Sequence, residues 1–272
     1  MNLWLQAITA TLIACCGIAV GYFASRLPKS YWLLGYFVPA ALIVIYGLAN
    51  HFPALAFAPP ISWLTMGRKK FVIMGFIAAL VLTAPLSRLQ KRRDRIIVCL
   101  FMAVMIFSTT IWPFIVPAFD RADLLTLRTR LDSDGVCIQG TDYTCGPAAA
   151  VTALHHLGFP ADEGKLAILS ETSSATGTPA DMLAEALQEE YGKQGLVVRC
   201  RPFNSVSDLR QAGLTLARMK YSFMVDHWVT VLQITDSQVI VGDPLAGRVQ
   251  LSCDDFARKW RFVGIVLSRK PE

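Results

Sequence analysis

Acidic residues are nearly missing from the first 118 positions, where Asp94 stands alone against ten Lys/Arg, whereas residues 119–272 hold nineteen Asp/Glu and sixteen Lys/Arg. The net charge of +6 is therefore +9 in the first part and −3 in the remainder. The remainder is slightly acidic, which argues against nucleic acid as a partner and leaves charge at membrane flanks as the better explanation of the imbalance. Histidine is also scarce, with only His155, His156 and His227 in the second part. Neighbours on a helix project about 100° apart, so His155 and His156 cannot chelate as an i, i+4 pair would, and neither a metal nor a cofactor is expected. No Gly-x-x-x-x-Gly-Lys-[Ser/Thr] occurs, so no P-loop energy-coupling module is expected. The N-terminus lacks a basic n-region and its apolar run is too long for a cleaved signal peptide. Leu12-Ile13-Ala14-Cys15 resembles a lipoprotein box, but the apolar run continues past Cys15.

Long uncharged runs are abundant. Leu3 to Ser25, Tyr31 to Asn50 and Ile96 to Phe119 span 23, 20 and 24 residues, and Phe71 to Ser87 spans 17. Each suffices to cross about 30 Å of hydrocarbon, so four transmembrane helices are expected in residues 1–118. Gly17, Ala19 and Gly21 suit close helix packing. Phe52 to Met66 is shorter and carries Pro53, Pro59 and Pro60, which suits an interfacial or re-entrant segment. With the N-terminus outside, seven basic residues (Arg26, Lys29, Arg88, Lys91, Arg92, Arg93, Arg95) face the cytoplasm against three (Arg68, Lys69, Lys70) outside. That places the C-terminal domain on the non-cytoplasmic side of a cell membrane; a fifth crossing at Phe52 to Met66 would reverse it. Residues 119–134 read as a stalk with Leu124, Leu125, Leu127 and Leu131 at helical spacing, and 135–272 as one domain. Helices are expected at 146–157, 178–191, 206–212 and about 253–260, with Thr178 capping the second. Strands are expected at 196–201, 214–219, 227–234, 238–242 and 262–267, an α+β order.

The stretch Gln-Gly-Thr-Asp-Tyr-Thr-Cys-Gly-Pro-Ala-Ala-Ala, Gln139 to Ala150, carries a thiol to the start of an apolar helix. Pro147 suits a first turn and Gly158-Phe159-Pro160 supplies a stop. At a helix N-terminus, unpaired N–H groups and the dipole favour the Cys145 thiolate. Gln139 is placed to donate to the oxygen that turns negative when Cys145 attacks a carbonyl, together with the Cys145 backbone N–H. A thiol needs a base. His155 and His156 lie about 15 Å along the same helix, so His227, opening a strand-like run, is the better candidate. Asp243, after the next run, can orient the imidazole; Asp226 is the alternative, but strand neighbours face opposite sides. For His227 and Asp243 to share a face, the turn at Thr235 to Ser237 must have odd length, or a bulge must restore the parity.

These residues, with His227-Trp-Val-Thr-Val, Gly242-Asp243-Pro244 and Gly177-Thr178-Pro179, resemble the peptidase C39 domain of bacteriocin-processing exporters over about Val136 to Ser268. The resemblance implies a papain-like fold with Cys145 as nucleophile, His227 as base, Asp243 as its orienter and Gln139 lining the oxyanion hole. It also implies a peptide substrate with small residues, often double glycine, before the cut; since no P-loop motif occurs in the sequence, a separate exporter or other membrane component is expected as partner. Thr144 stands where that family usually has aspartate. A papain-like transferase similar to phytochelatin synthase and a C39-like domain that only binds its peptide are the alternatives.

Overall fold

A computed structural model of the protein describes residues 3–28, 34–51, 69–222 and 225–270. The chain divides into two compact units, Met1–Val116 and Pro117–Glu272. Among the described residues, three helices are long and apolar enough to cross a membrane: Leu5–Ser25, Phe71–Arg88 and Arg92–Leu125, the last continuing into the second unit. The expected span at Tyr31 to Asn50 overlaps helix Leu34–His51, an uncharged 18-residue helix that contains Pro39. Phe52 to Met66 lies outside the described residues.

Small residues decide how the first membrane helix packs. A Cβ at Gly17 would come within 2.7 Å of the Phe76 carbonyl, and one at Gly21 within 2.8 Å of that of Leu80. Only glycine admits such backbone approach, as expected for helices that associate where burial from water contributes nothing. The third span is interrupted by a π turn, Phe107–Ile111, whose Thr110 is fully buried. Thr110 fills the place of a side chain on Gly75, where a Cβ would meet its Oγ1 at 1.8 Å.

The second unit is a mixed α+β domain with an open antiparallel sheet. Its strands are β1 (Leu196–Pro202), β2 (Thr215–Ser222), β3 (Val225–Ile234), β4 (Gln238–Asp243), β5 (Gly247–Ser252) and β6 (Trp260–Arg269), in the order β1-β6-β2-β3-β4-β5. One hydrophobic cluster joins Leu154, Leu183, Leu187, Leu216, Trp228, Ile265 and Leu267 beneath the helices Cys145–His156 and Ala180–Tyr191. A second gathers Phe203, Leu209, Val229, Val231, Phe256 and Trp260. Alternate β3 residues thus serve different clusters, Trp228 the first and Val229 the second, as a strand buried on both faces requires.

Five expected strands and four expected helices have counterparts, and β5 and the helix Glu163–Leu169 are additions. The Ala180–Tyr191 helix begins two residues late. Its N-cap position is Pro179, and Thr178 instead hydrogen-bonds through its hydroxyl to that of Thr172 at 2.9 Å. All seven cysteines are free.

Leu216 is fully buried at the centre of the sheet, whereas Leu169 is 40% exposed. Leu216→Ala should therefore destabilise the domain by about 2–5 kcal/mol, and Leu169→Ala by about 0.5 kcal/mol or less. Urea unfolding of the detergent-solubilised protein, followed by tryptophan fluorescence, measures both.

Candidate active site

Cys145 is the first residue of its helix, and every residue from Cys145 to Leu154 is buried. The run of alanines lets the helix lie close on the sheet, where the Thr230 hydroxyl donates to the Ala149 carbonyl at 2.6 Å. Gly146 serves the same closeness on the other side: a Cβ there would stand 2.7 Å from the Thr178 side chain. Cys145 is buried but retains 9% exposure, whereas the alanines that follow it retain none.

His227 opens the buried part of β3, and Asp243 ends β4. Thr235 pairs with Gln238 across a two-residue turn, its N–H donating to the Gln238 carbonyl at 2.8 Å, so a regular ladder would turn Asp243 away from His227. The ladder is not regular. Gln233 lies opposite Ile240 but Val231 opposite Val241, so Leu232 is an extra residue and β3 carries a bulge. From Thr230↔Gly242 onward the register brings Asp243 to the diagonal position on the face of His227. His227 Nε2 and Asp243 Oδ1 are 2.7 Å apart. The rival orienter, Asp226, is engaged elsewhere, bound by Arg218 at 2.8 Å and Arg261 at 2.9 Å.

Burial alone would depress the imidazole, but hydrogen bonding to Asp243 and Cys145, with the charges of both, outweighs it and raises His227 from 6.5 to about 9. Asp243 shifts the opposite way: burial pushes its carboxyl up, while bonds from His227 and the Leu245 N–H, aided by charge, carry it below the ordinary value. Protonated His227 therefore stabilises the fold fully below pH 6.5, and that contribution disappears as pH rises through about 9.

Gln139 reaches the site through its backbone, whose N–H donates to the Pro244 carbonyl at 3.0 Å, beside Asp243. Its side chain is buried; Nε2 donates to the Thr141 carbonyl at 2.7 Å, which leaves its second N–H for another acceptor. Thr144, fully buried, donates its hydroxyl to Glu163 at 2.6 Å. The structure thus brings Cys145, His227 and Asp243 together and ties Gln139 to the residue after Asp243. It leaves His155 and His156 exposed at the far end of the helix. Cys137 is a different kind of thiol, fully enclosed and pushed up to about 12, first by burial and then by the charge of Glu163. Glu163 is not legible in the sequence as a site residue, because acidic side chains are rarely fully buried and nothing local marks this one as an exception.

Residues 134–272 match the model of the Peptidase C39 family. An uncharacterized protein of Methanothermobacter marburgensis is 25% identical over 150 residues, which cover 55% of this chain and 99% of that protein. Another, of Methanothermobacter thermautotrophicus, is 26% identical over 145 residues, covering 53% and 94%. Among solved structures, a double glycine motif protease from an AMS/PCAT transporter, in complex with the leader peptide, is 16% identical with a TM-score of 0.43, covering 53% of this chain and 96% of that one. The peptidase domain of Streptococcus ComA, a bi-functional ABC transporter involved in a quorum sensing pathway, is 23% identical with a TM-score of 0.43, covering 49% and 96%.

The electrostatics can be read directly. The ring signals of His227, followed by NMR against pH, should titrate near 9. In Asp243→Asn the titration should move to lower pH, since the group that contributes most to the rise is gone. An unchanged titration would show that Asp243 does not hold the proton on His227.

Proposed function

The chain belongs to the peptidase C39 family, and on that premise we propose that it is a membrane-anchored cysteine peptidase that cuts a peptide through a thioester intermediate. The observation that carries this reading is the 2.7 Å contact of His227 with Asp243, on a histidine whose proton affinity is also raised by Cys145 at the helix N-terminus. His227 takes the Cys145 proton, and Asp243 stabilises the resulting imidazolium and fixes the ring. The thiolate attacks the peptide carbonyl, and the tetrahedral oxygen is held by the Cys145 backbone N–H and the Gln139 amide. As the C–N bond breaks, His227 gives its proton to the leaving amine. Water, deprotonated by His227, then cleaves the thioester and restores the thiol.

A peptide with glycines before the cut is the proposed substrate, by likeness to the double glycine motif protease solved with its leader peptide. A transporter as partner has the same support. We further propose that helix Leu34–His51 crosses the membrane with the three longer ones, which puts the peptidase domain on the non-cytoplasmic side.

Cys145→Ala should abolish cleavage of such a peptide, while Cys137→Ala should leave most of it. Gln139→Ala should lower turnover about 10²–10³-fold, and a near wild-type rate would remove its oxyanion role. Running the reaction with excess amine and weighing the products separates hydrolysis from transfer, because a transferase would give the amide. A reporter fused after Glu272 should behave as exported; a cytoplasmic readout would overturn the four-crossing topology.

A further inference from the structure

Glu163 opens the short helix Glu163–Leu169 and is fully buried. Its Oε1 accepts two bonds, from the Gly140 N–H at 2.8 Å and the Thr144 hydroxyl at 2.6 Å. Gly140 follows Gln139 and Thr144 precedes Cys145. One oxygen therefore holds both ends of the loop between the two proposed oxyanion donors. The Thr144 oxygen in turn accepts from the Thr141 N–H at 3.2 Å, and Thr141 is the residue whose carbonyl receives the Gln139 amide at 2.7 Å.

The anchor behind the carboxyl is rigid. The Glu163 N–H donates to the Thr129 hydroxyl at 2.8 Å, and the adjacent Gly164 lies so near Leu124 that a Cβ would come within 2.4 Å of its carbonyl. The other carboxyl oxygen, Oε2, is buried without a hydrogen-bond partner. A buried carboxyl with one oxygen unpaired is a poor device for stability, since apolar packing of the same volume would stabilise at least as well. Burial, the largest influence on it, raises its pKa, and the bonds from Gly140 and Thr144 oppose the rise. What this group supplies that an apolar side chain cannot is a fixed distance between two backbone segments.

We propose that Glu163 is a positioning residue for the oxyanion site: its carboxyl clamps Gly140 to Thr144 and so sets the Gln139 amide against the Cys145 N–H. This rests on the reading of Cys145 as nucleophile and Gln139 as oxyanion donor. Glu163 touches no substrate. Its effect is confined to steps that build charge on a carbonyl oxygen.

Two rates, measured on the full-length protein in detergent, test this. One is turnover of a peptide with two glycines before the cut. The other is alkylation of Cys145 by iodoacetamide, a displacement at saturated carbon that creates no oxyanion. Glu163→Gln keeps an acceptor oxygen for both bonds and should turn over within about threefold of wild type. Glu163→Ala, and Thr144→Val as a second variant should the first fail to fold, should lose on the order of 10²-fold in kcat with KM little changed. Their alkylation rates should stay within about twofold of wild type, and Thr144→Ser should recover kcat. The proposal is overturned if Thr144→Val and Glu163→Ala both keep kcat within about threefold, or if alkylation falls in parallel with turnover, which would mark general damage around the thiol. Wild-type Cys145 alkylating no faster than Cys137, with no turnover, would instead bring down the peptidase reading on which the clamp rests.

Discussion

A histidine kept charged in a dry site must have an anion beside it, and the contact between His227 and Asp243 meets that demand. Desolvation works against the imidazolium, and hydrogen bonds to Asp243 and Cys145, with the charges of both, reverse it. Everything else in the domain can be described as arranging that meeting. The sheet delivers His227 at the start of β3 and Asp243 at the end of β4, and the alanine-rich helix lies close enough on the sheet to bring its first residue alongside. Gly242-Asp243-Pro244 is used throughout its length. Gly242 lets the strand approach Thr152, where a Cβ would stand at 3.0 Å, Asp243 takes His227, and the Pro244 carbonyl takes Gln139.

The parts of this arrangement that are visible in the sequence are those with strong local causes. Pro147 and the alanines mark the Cys145 helix, and the run from His227 to Ile234 marks β3, because few other conformations suit those residues. Parity likewise follows from the chain alone: a turn at Asp236-Ser237 leaves His227 and Asp243 on opposite faces unless a bulge intervenes. Which of the two solutions the chain takes is not written locally, since nothing in the residues around Leu232 marks it as the surplus one. Strand β5 was missed although Arg248 and Gln250 alternate with Val249 and Leu251, a pattern too short to stand out beside a loop. Glu163 was invisible for a deeper reason, because its partners Gly140 and Thr144 lie about twenty residues upstream and no local pattern links them.

The membrane unit shows the same division. Long apolar spans are recognised by length and scarcity of charge, and Leu5–Ser25 and, despite its π turn, the apolar part of Arg92–Leu125 appear as such. Leu34–His51 is a continuous apolar helix over most of the expected span, with Pro39 inside it. Gly17 and Gly21 were readable as packing residues, whereas their partners, the backbones of Phe76 and Leu80, were not. Small residues announce that something comes near without saying what.

The bulge has a consequence for how the hairpin tolerates change. Because Val231 already faces Val241 and Gln233 already faces Ile240, Leu232 is surplus to the pairing on either side of it. A chain lacking that one residue would close into an unbroken ladder and keep the same pairs from Thr230 downward, with His227 still level with its acid. The pairing of Val239 and Ile240 with the outer part of β3 and that of Val241 and Gly242 with its inner part differ by one residue, and Leu232 marks where the two registers meet.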